Sequence, residues 1–437
     1  MRRCSCPPPM GACPPYAATS FAMDLPRAWV PARRERGWTM NRRELAVGMV
    51  GFCAFLGLYA TQPLLPILQR TFGASKVEVS LTVSAATLGV ALAAPWVGLL
   101  ADLVGRKRII VPAVWLLGLT YLFAAIPGGL GALVFWRFVQ GLLTPAVFVV
   151  AVAYVNEEWP RSQTGFVASI YVAGTVLGGF TGRFLTGMVA ARVAWNWAFV
   201  ALGGLSFVLA LLVSAWLPKA KSFSRVADVC GALRDMAGHL RNRSLLTIYA
   251  VGFSILFALV ATFTYITFYL AEPPFSLGPS ALGSLFAVYL VGVVATPLAG
   301  KWSNRLQGWK LLAMAQVLCI AGTVLSLVRS LPSVIGGLAL CSTGVFVCQI
   351  VTNRAVGNVT TKARASAVGW YVTIYYLGGF VGSTAPAFLW SLGGWPACVA
   401  LIVAVLVLSL LFVLTIWRHR ETWRLQHAAL SVDDVAS

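Results

Sequence analysis

Acid is scarce in this sequence. Aspartate and glutamate together number 13 and histidine 3, against 33 lysines and arginines, for a formal net charge of +20. Charged residues make up only 11% of the chain, where a soluble domain carries roughly 25%, so the chain lacks the charge to cover a water-facing surface. His239, His419 and His427 all stand outside the apolar runs, and no nucleophile elbow or His/Glu cluster falls within them. That argues against a membrane-embedded enzyme and against a metal centre. The nine cysteines form no disulfide framework. Cys53, Cys319, Cys341, Cys348 and Cys398 lie in or beside apolar runs, where Cys acts as a small hydrophobe. Cys4, Cys6 and Cys13 lack the matching second pair of a metal site. No short apolar stretch ends in a small-residue cleavage site, so no cleaved signal peptide is expected. No cofactor is implied.

What is present is hydrocarbon. Hydrophobic residues are 59% of the chain and the mean hydropathy is +0.82. At about 20 apolar residues per crossing, the chain has room for about a dozen spans. The apolar runs predict helices over 45–68, 77–100, 109–126, 131–154, 165–189 and 195–217, then 245–270, 279–300, 310–328, 332–353, 365–391 and 395–417. The expected organisation is therefore all-α and integral to the membrane. Two six-helix bundles, 44–217 and 245–417, flank a polar central loop at 218–244, with a short tail at 418–437. Residues 1–43, rich in Pro and Arg, read as a disordered tail. Met40-Asn41-Arg42-Arg43 before the first span would also serve as a translation start.

A strongly basic chain first suggests nucleic acid, but here the charge sits between apolar runs. With the N-terminus inside, the cytoplasmic gaps hold Arg106, Lys107, Arg108, Arg161, Lys301, Arg305, Arg354 and Arg364 among others, while the opposite face holds only Arg70, Lys76, Arg192 and Arg329. The positive-inside rule then places both termini in the cytoplasm of a bacterial inner membrane and removes the need for a nucleic-acid partner.

The two halves repeat. Leu177-Gly178-Gly179-Phe180-Thr181-Gly182 returns as Leu377-Gly378-Gly379-Phe380-Val381-Gly382, Tyr171 as Tyr371, Trp195 as Trp395, and Gly51-Phe52 as Gly252-Phe253. The offset stays nearly constant over five helices. Parallel six-helix repeats of this kind build carriers that alternate access around a midplane site.

The stretch Gly98-Leu99-Leu100-Ala101-Asp102-Leu103-Val104-Gly105-Arg106-Lys107-Arg108 falls between the second and third runs. Gly98 is expected to permit close helix approach and Gly105 a tight turn. Asp102 is expected just before the third helix, favoured by its free N–H groups, and the basic triplet in water near anionic lipid. The stretch resembles the signature loop of the major facilitator superfamily, and the resemblance covers about residues 44–417. It implies a twelve-helix transporter in which Asp102 latches one half to the other. Gly300-Lys301-Trp302-Ser303-Asn304-Arg305 is a decayed second copy, with Asn304 in the acidic place.

In the fourth run, Leu133, Arg137, Gln140, Gly141 and Thr144 share one helix face and resemble the family's second motif. An arginine in hydrocarbon needs a cavity or partners, which makes Arg137 a candidate for coupling with Gln62 as its partner. Gly165, Gly174, Gly178, Gly179 and Gly182 of the fifth run resemble the signature of proton-coupled exporters, and their spacing also suits tight helix packing. Gly179 replaces the family's proline, and Arg183 replaces a glycine.

Asp102, Glu44, Glu78, Glu157, Glu158 and Glu272 all fall at helix ends or in loops, so Arg137 and Arg183 are the deep ionisable groups. A basic interior favours a neutral or anionic solute over lipophilic cations. Proton coupling would then fall to Asp102, Glu78 or Glu272. Candidate cavity residues are Tyr59, Gln62, Arg137, Gln140, Thr144, Tyr265, Gln349, Asn353, Trp370, Tyr371 and Tyr375. The expectation is a monomeric secondary transporter, a proton-coupled exporter of a small organic solute similar to bacterial drug or sugar efflux permeases. A facilitator or importer is the alternative.

Overall fold

Backbone in hydrocarbon has no water to bond, so each apolar run satisfies its N–H and C=O groups by coiling into helix. The computed structural model describes residues 41–218, 238–239, 242–302, 306–359 and 364–418. Its helices are α1 (Arg42–Leu56), α2 (Leu65–Phe72), α3 (Lys76–Val104), α4 (Arg106–Ala124), α5 (Gly129–Glu158), α6 (Arg161–Ala190) and α7 (Asn196–Trp216). There follow α8 (Arg243–Ala271), α9 (Pro279–Leu285), α10 (Val291–Trp302), α11 (Gly308–Leu325), α12 (Leu331–Val359) and α13 (Arg364–Phe412), which ends in a π turn, Val413–Trp417. Among the described residues there is no strand.

Nine of the described helices are long and apolar enough to cross a membrane. The last, α13, is two crossings joined where Gly394 takes φ 58°, ψ −142°, which suits glycine. The two further crossings are broken: α1 and α2 make one, with a 3-10 turn Gln62–Leu64 between them, and α9 and α10 make another around the 3-10 stretch Phe286–Leu290. Counted this way the spans number the expected twelve, six in each bundle. Of the sequence expectations, the tail through residue 40, most of the central loop, Asn304 with Arg305, and the tail beyond 418 lie outside the described residues.

Proline causes the first break. Pro63 and Pro66 have no N–H to offer the carbonyls of Tyr59 and Gln62. Helix α1 stops at Leu56, and turns take over, with Ala60 N–H donating to Gly57 at 3.2 Å and Gln62 N–H to Tyr59 at 3.1 Å.

The internal repeat is a repeat of contacts. A Cβ on Gly178 or Gly182 would run into the carbonyl of Phe52 or Leu56, and a Cβ on Gly378 or Gly382 into that of Phe253 or Phe257. Gly51 lies against Tyr171 as Gly252 lies against Tyr371. The same small-residue seam thus joins α1 to α6 and α8 to α13. The halves meet along α3 and α13, where the Ser84 hydroxyl lies 2.8 Å from those of Ser383 and Thr384 and Thr373 donates to the Ala91 carbonyl at 3.0 Å. They also meet along α6 and α9, where a Cβ on Gly187 would come within 2.5 Å of the Pro279 carbonyl.

Candidate functional site

The near end of the molecule carries the turn at Gly105, and the far end carries Gly73 and Glu272.

At the near end, the signature loop differs from its sequence reading. Asp102 lies in the last turn of α3 rather than before the next helix, because α3 runs on to Val104 and breaks only at Gly105, with φ 105°. The Asp102 side chain is outside the described ones. Arg106 and Lys107 are not left to water and lipid. Arg106 grips Glu157 through two bonds, Nε at 3.1 Å and Nη2 at 2.7 Å. Lys107 donates to the carbonyls of Ser214, at 3.2 Å, and Leu217, capping the end of α7 as a cation should. Arg108 is exposed. Gly98 meets no described atom within 4 Å of a built Cβ, so it mediates no close approach.

Arg137 is fully buried and nearly saturated by carbonyls. Its Nε donates to Thr82 O at 3.0 Å, Nη1 to Gly57 O and Gln140 Oε1, both at 2.6 Å, and Nη2 to Leu58 O. Gln140 passes the chain on to Thr120 O at 3.1 Å. The N–H of Gln62, which would serve Leu58 in a regular helix, turns to Tyr59 instead. Arg137 therefore repairs the break in the first span. Gln62 is not its partner, which corrects the sequence expectation. Thr144 is buried and bonded to Gln140 O of its own helix at 2.7 Å.

Gln62 belongs to Arg183. Arg183, on α6, donates from Nε to Gln62 Oε1 at 2.7 Å and from Nη1 to Gly179 O at 2.6 Å. Gln62 Nε2 then donates to Thr264 Oγ1 on α8 at 3.1 Å, so the chain of bonds crosses from one half to the other. The guanidinium carbon lies 4.9 Å from the ring of Tyr59 and 4.8 Å from those of Phe286 and Tyr289, within cation–π range. All three rings sit where the backbone departs from regular helix: the turn of the first span and the 3-10 stretch of the eighth. A side chain at position 179 would come within 3.3 Å of Arg183 Nη1, so the two departures from the exporter signature, Gly179 and Arg183, fit each other. The other glycines of that signature divide. Gly174, Gly178 and Gly182 pack on α1, whereas Gly165 is exposed with nothing near it and takes no part in packing.

Toward the near end Tyr371 and Tyr375, two of the candidate cavity residues, belong to an aromatic band. Ring centroids run from Tyr249 to Tyr371 at 6.4 Å, to Tyr375 at 5.7 Å and to Tyr376 at 5.6 Å, then to Phe148 at 5.9 Å. Tyr371 shares a 2.9 Å hydrogen bond with Thr352. Gln349 and Trp370 are half-buried and Asn353 is exposed. Tyr265 is a packing pin rather than a cavity residue: it is fully buried, donates to Ser383 O at 2.6 Å and leans on Phe268 and Trp390.

The far end is closed. Lys76 of α3 pairs with Glu272 of the other half at 3.0 Å and sits 4.8 Å from the Trp390 ring. Glu78 caps α3, accepting from Ser75 N–H at 2.7 Å. A cavity of about 410 Å³ at this end is lined by Arg70, Lys76, Phe268 and Glu272.

Phe286, Tyr289, Thr264 and the Lys76–Glu272 pair escaped the sequence reading. Thr264 had a signal: by the repeat it stands nearly opposite Gln62, so the two halves bring equivalent segments face to face.

The family model of the Major Facilitator Superfamily matches residues 47–383 and 275–429. An uncharacterized transporter of Buchnera aphidicola subsp. Schizaphis graminum is 30% identical over 375 residues, covering 86% of this chain and 91% of that one. The inner membrane transport protein YnfM of Escherichia coli is 28% identical over 371 residues, 85% of this chain and 89% of that one. Among solved structures, a bacterial homolog of the human lysosomal transporter Spinster superposes with a TM-score of 0.69 at 14% identity, covering 86% of this chain and 97% of that one. The chain is a multi-pass membrane transporter rather than an enzyme, and it belongs to the major facilitator superfamily.

Proposed function

We propose that this transporter exports a small organic solute, neutral or anionic, in exchange for protons, by alternating access in a bacterial inner membrane with both termini in the cytoplasm. The solute class rests on one observation. Among the described residues the buried charges are Arg137 and Arg183, and no aspartate or glutamate is buried. A cationic drug would enter that interior against like charge with no carboxylate to receive it. The orientation follows the distribution of Lys and Arg, and the inner membrane agrees with the name of the Escherichia coli relative. Under this orientation the far end faces the periplasm and the described conformation is closed on that side.

Of the three carboxylates considered for coupling, Glu78 caps a helix, and Glu272 crosses between the halves. Coupling then falls to Glu272, whose pairing with Lys76 ties the two halves at the far end. Asp102 acts at the other end.

A substrate screen in inside-out vesicles, with and without an imposed pH gradient, tests the reading. Accumulation of neutral or anionic solutes that rises when the lumen is acid supports proton-coupled export. Equal movement with and without the gradient makes the protein a facilitator, and selective accumulation of cations removes the solute class.

A further inference from the structure

We propose that Arg183 and Tyr59 form a binding site for the carboxylate of a planar, singly charged organic acid. The inference rests on the reading of the chain as a carrier of neutral or anionic solutes, and narrows it.

Arg183 is 5% exposed and Tyr59 6%. A guanidinium carries five N–H donors. Here Nε is engaged by Gln62 and Nη1 by the Gly179 carbonyl, and Nη2 meets no acceptor among the described residues. The Tyr59 hydroxyl is buried with no hydrogen-bond partner. Arg137 shows what the same side chain does when its place is purely structural: all three of its nitrogens donate, to carbonyls and one glutamine. An unpartnered hydroxyl in a low-dielectric interior is costly, and a buried cation without a counter-charge is costlier still. One ligand oxygen pair removes both costs. The carboxylate accepts from Nη2 along the edge of the guanidinium plane and from the Tyr59 hydroxyl.

The surroundings set the rest of the ligand. Tyr59, Phe286 and Tyr289 surround the cation with ring faces and edges, and Phe263 and Phe346 extend that wall beyond Tyr289, at 4.5 and 6.1 Å. Phe263 and Phe286 are fully buried, so a flat apolar body stacks on Tyr289 and the half-buried Phe346. The cage holds one cation, since the donors of Arg137 are directed elsewhere. It therefore matches one negative charge, and a phosphate or dicarboxylate would bring a second charge with nothing to meet it. Arg183 and Tyr59 come from the first half, Phe286 and Tyr289 from the second, so both halves sense the ligand.

The test uses the full-length protein purified in detergent. Thermal unfolding is followed against concentration of benzoate, phenylacetate and 3-phenylpropionate, each paired with its primary amide. At least one carboxylate should raise the midpoint while its amide does not. Arg183→Gln should weaken that carboxylate about tenfold or more, and Tyr59→Phe, which keeps the ring over the cation, by about fivefold or more. Arg183→Lys should keep part of the affinity. Equal shifts by acid and amide overturn the site, as does no shift by any of the three acids, or wild-type affinity in a folded Arg183→Gln. If Arg183→Gln does not fold, Tyr59→Phe decides, and unchanged affinity there overturns the site. Vesicle transport of the same acids separates this from the broader reading. Acids bound as described but not moved leave the site standing and remove the export reading. Acids moved equally by wild type and Tyr59→Phe leave transport standing and remove the site.

Discussion

Two buried arginines hold opposite kinds of contact. Arg137 gives its protons to the backbone carbonyls of Gly57 and Leu58, in the turn after Leu56, and of Thr82. Arg137→Ala should therefore fail first in folding. Several buried carbonyls lose their donor at about 1–3 kcal/mol each, so the midpoint of thermal unfolding in detergent should fall sharply, and the yield of monodisperse protein with it. Folding at wild-type stability but without transport would mark Arg137 as part of the transport machinery instead. Both arginines were legible in the sequence, because a charge deep in an apolar run stands out. Their partners were not. Helical spacing fixes the face on which Arg137 lies but not which neighbour faces it, and Gln62 is taken by Arg183. Phe286 and Tyr289 stayed hidden for a simpler reason: one more aromatic in an apolar run carries no mark of its own.

At the scale of helices, the seam between α1 and α6 depends on glycine at Gly174, Gly178 and Gly182, where a Cβ meets the carbonyls of Gly48, Phe52 and Leu56. Gly178→Ala should force the two helices apart and cut the yield of folded protein. Gly165→Ala, at an exposed position with open space, should be neutral or stabilise slightly through helix propensity, by up to about 1 kcal/mol. Detergent-solubilised yield and unfolding midpoint compare the two, and equal behaviour would show that the seam tolerates a methyl group. The sequence displayed the glycines as a set, and spacing could not tell which of them touch a partner. The apolar runs gave the spans to within a few residues. The break in the first span had Pro63 and Pro66 to announce it, whereas Phe286–Leu290 contains no proline and no glycine, so the 3-10 stretch beside Arg183 could be found only in three dimensions.

For the whole molecule, closure of the far end joins one half to the other through Lys76 and Glu272. Lys76→Cys combined with Glu272→Cys, bridged by a short bifunctional thiol reagent, should stop transport, and a cleavable reagent should restore it on reduction. Continued transport in the bridged protein would show that this contact need not open. The two-bundle plan was readable from the repeat of Gly178-Gly179 in Gly378-Gly379, but the closure was not. Lys76 and Glu272 lie far apart in the chain, at helix ends where charge is ordinary. The uncompensated cation at Arg183 has one more consequence, and it is electrical. With its site empty the carrier holds a unit of positive charge inside the membrane, and with a singly charged acid in place that site is neutral. At this site a membrane potential then acts on the empty return and not on the loaded stroke. It biases that step by a fraction of about 2.3 kcal/mol for each 100 mV, the fraction being the share of the field that falls across the site.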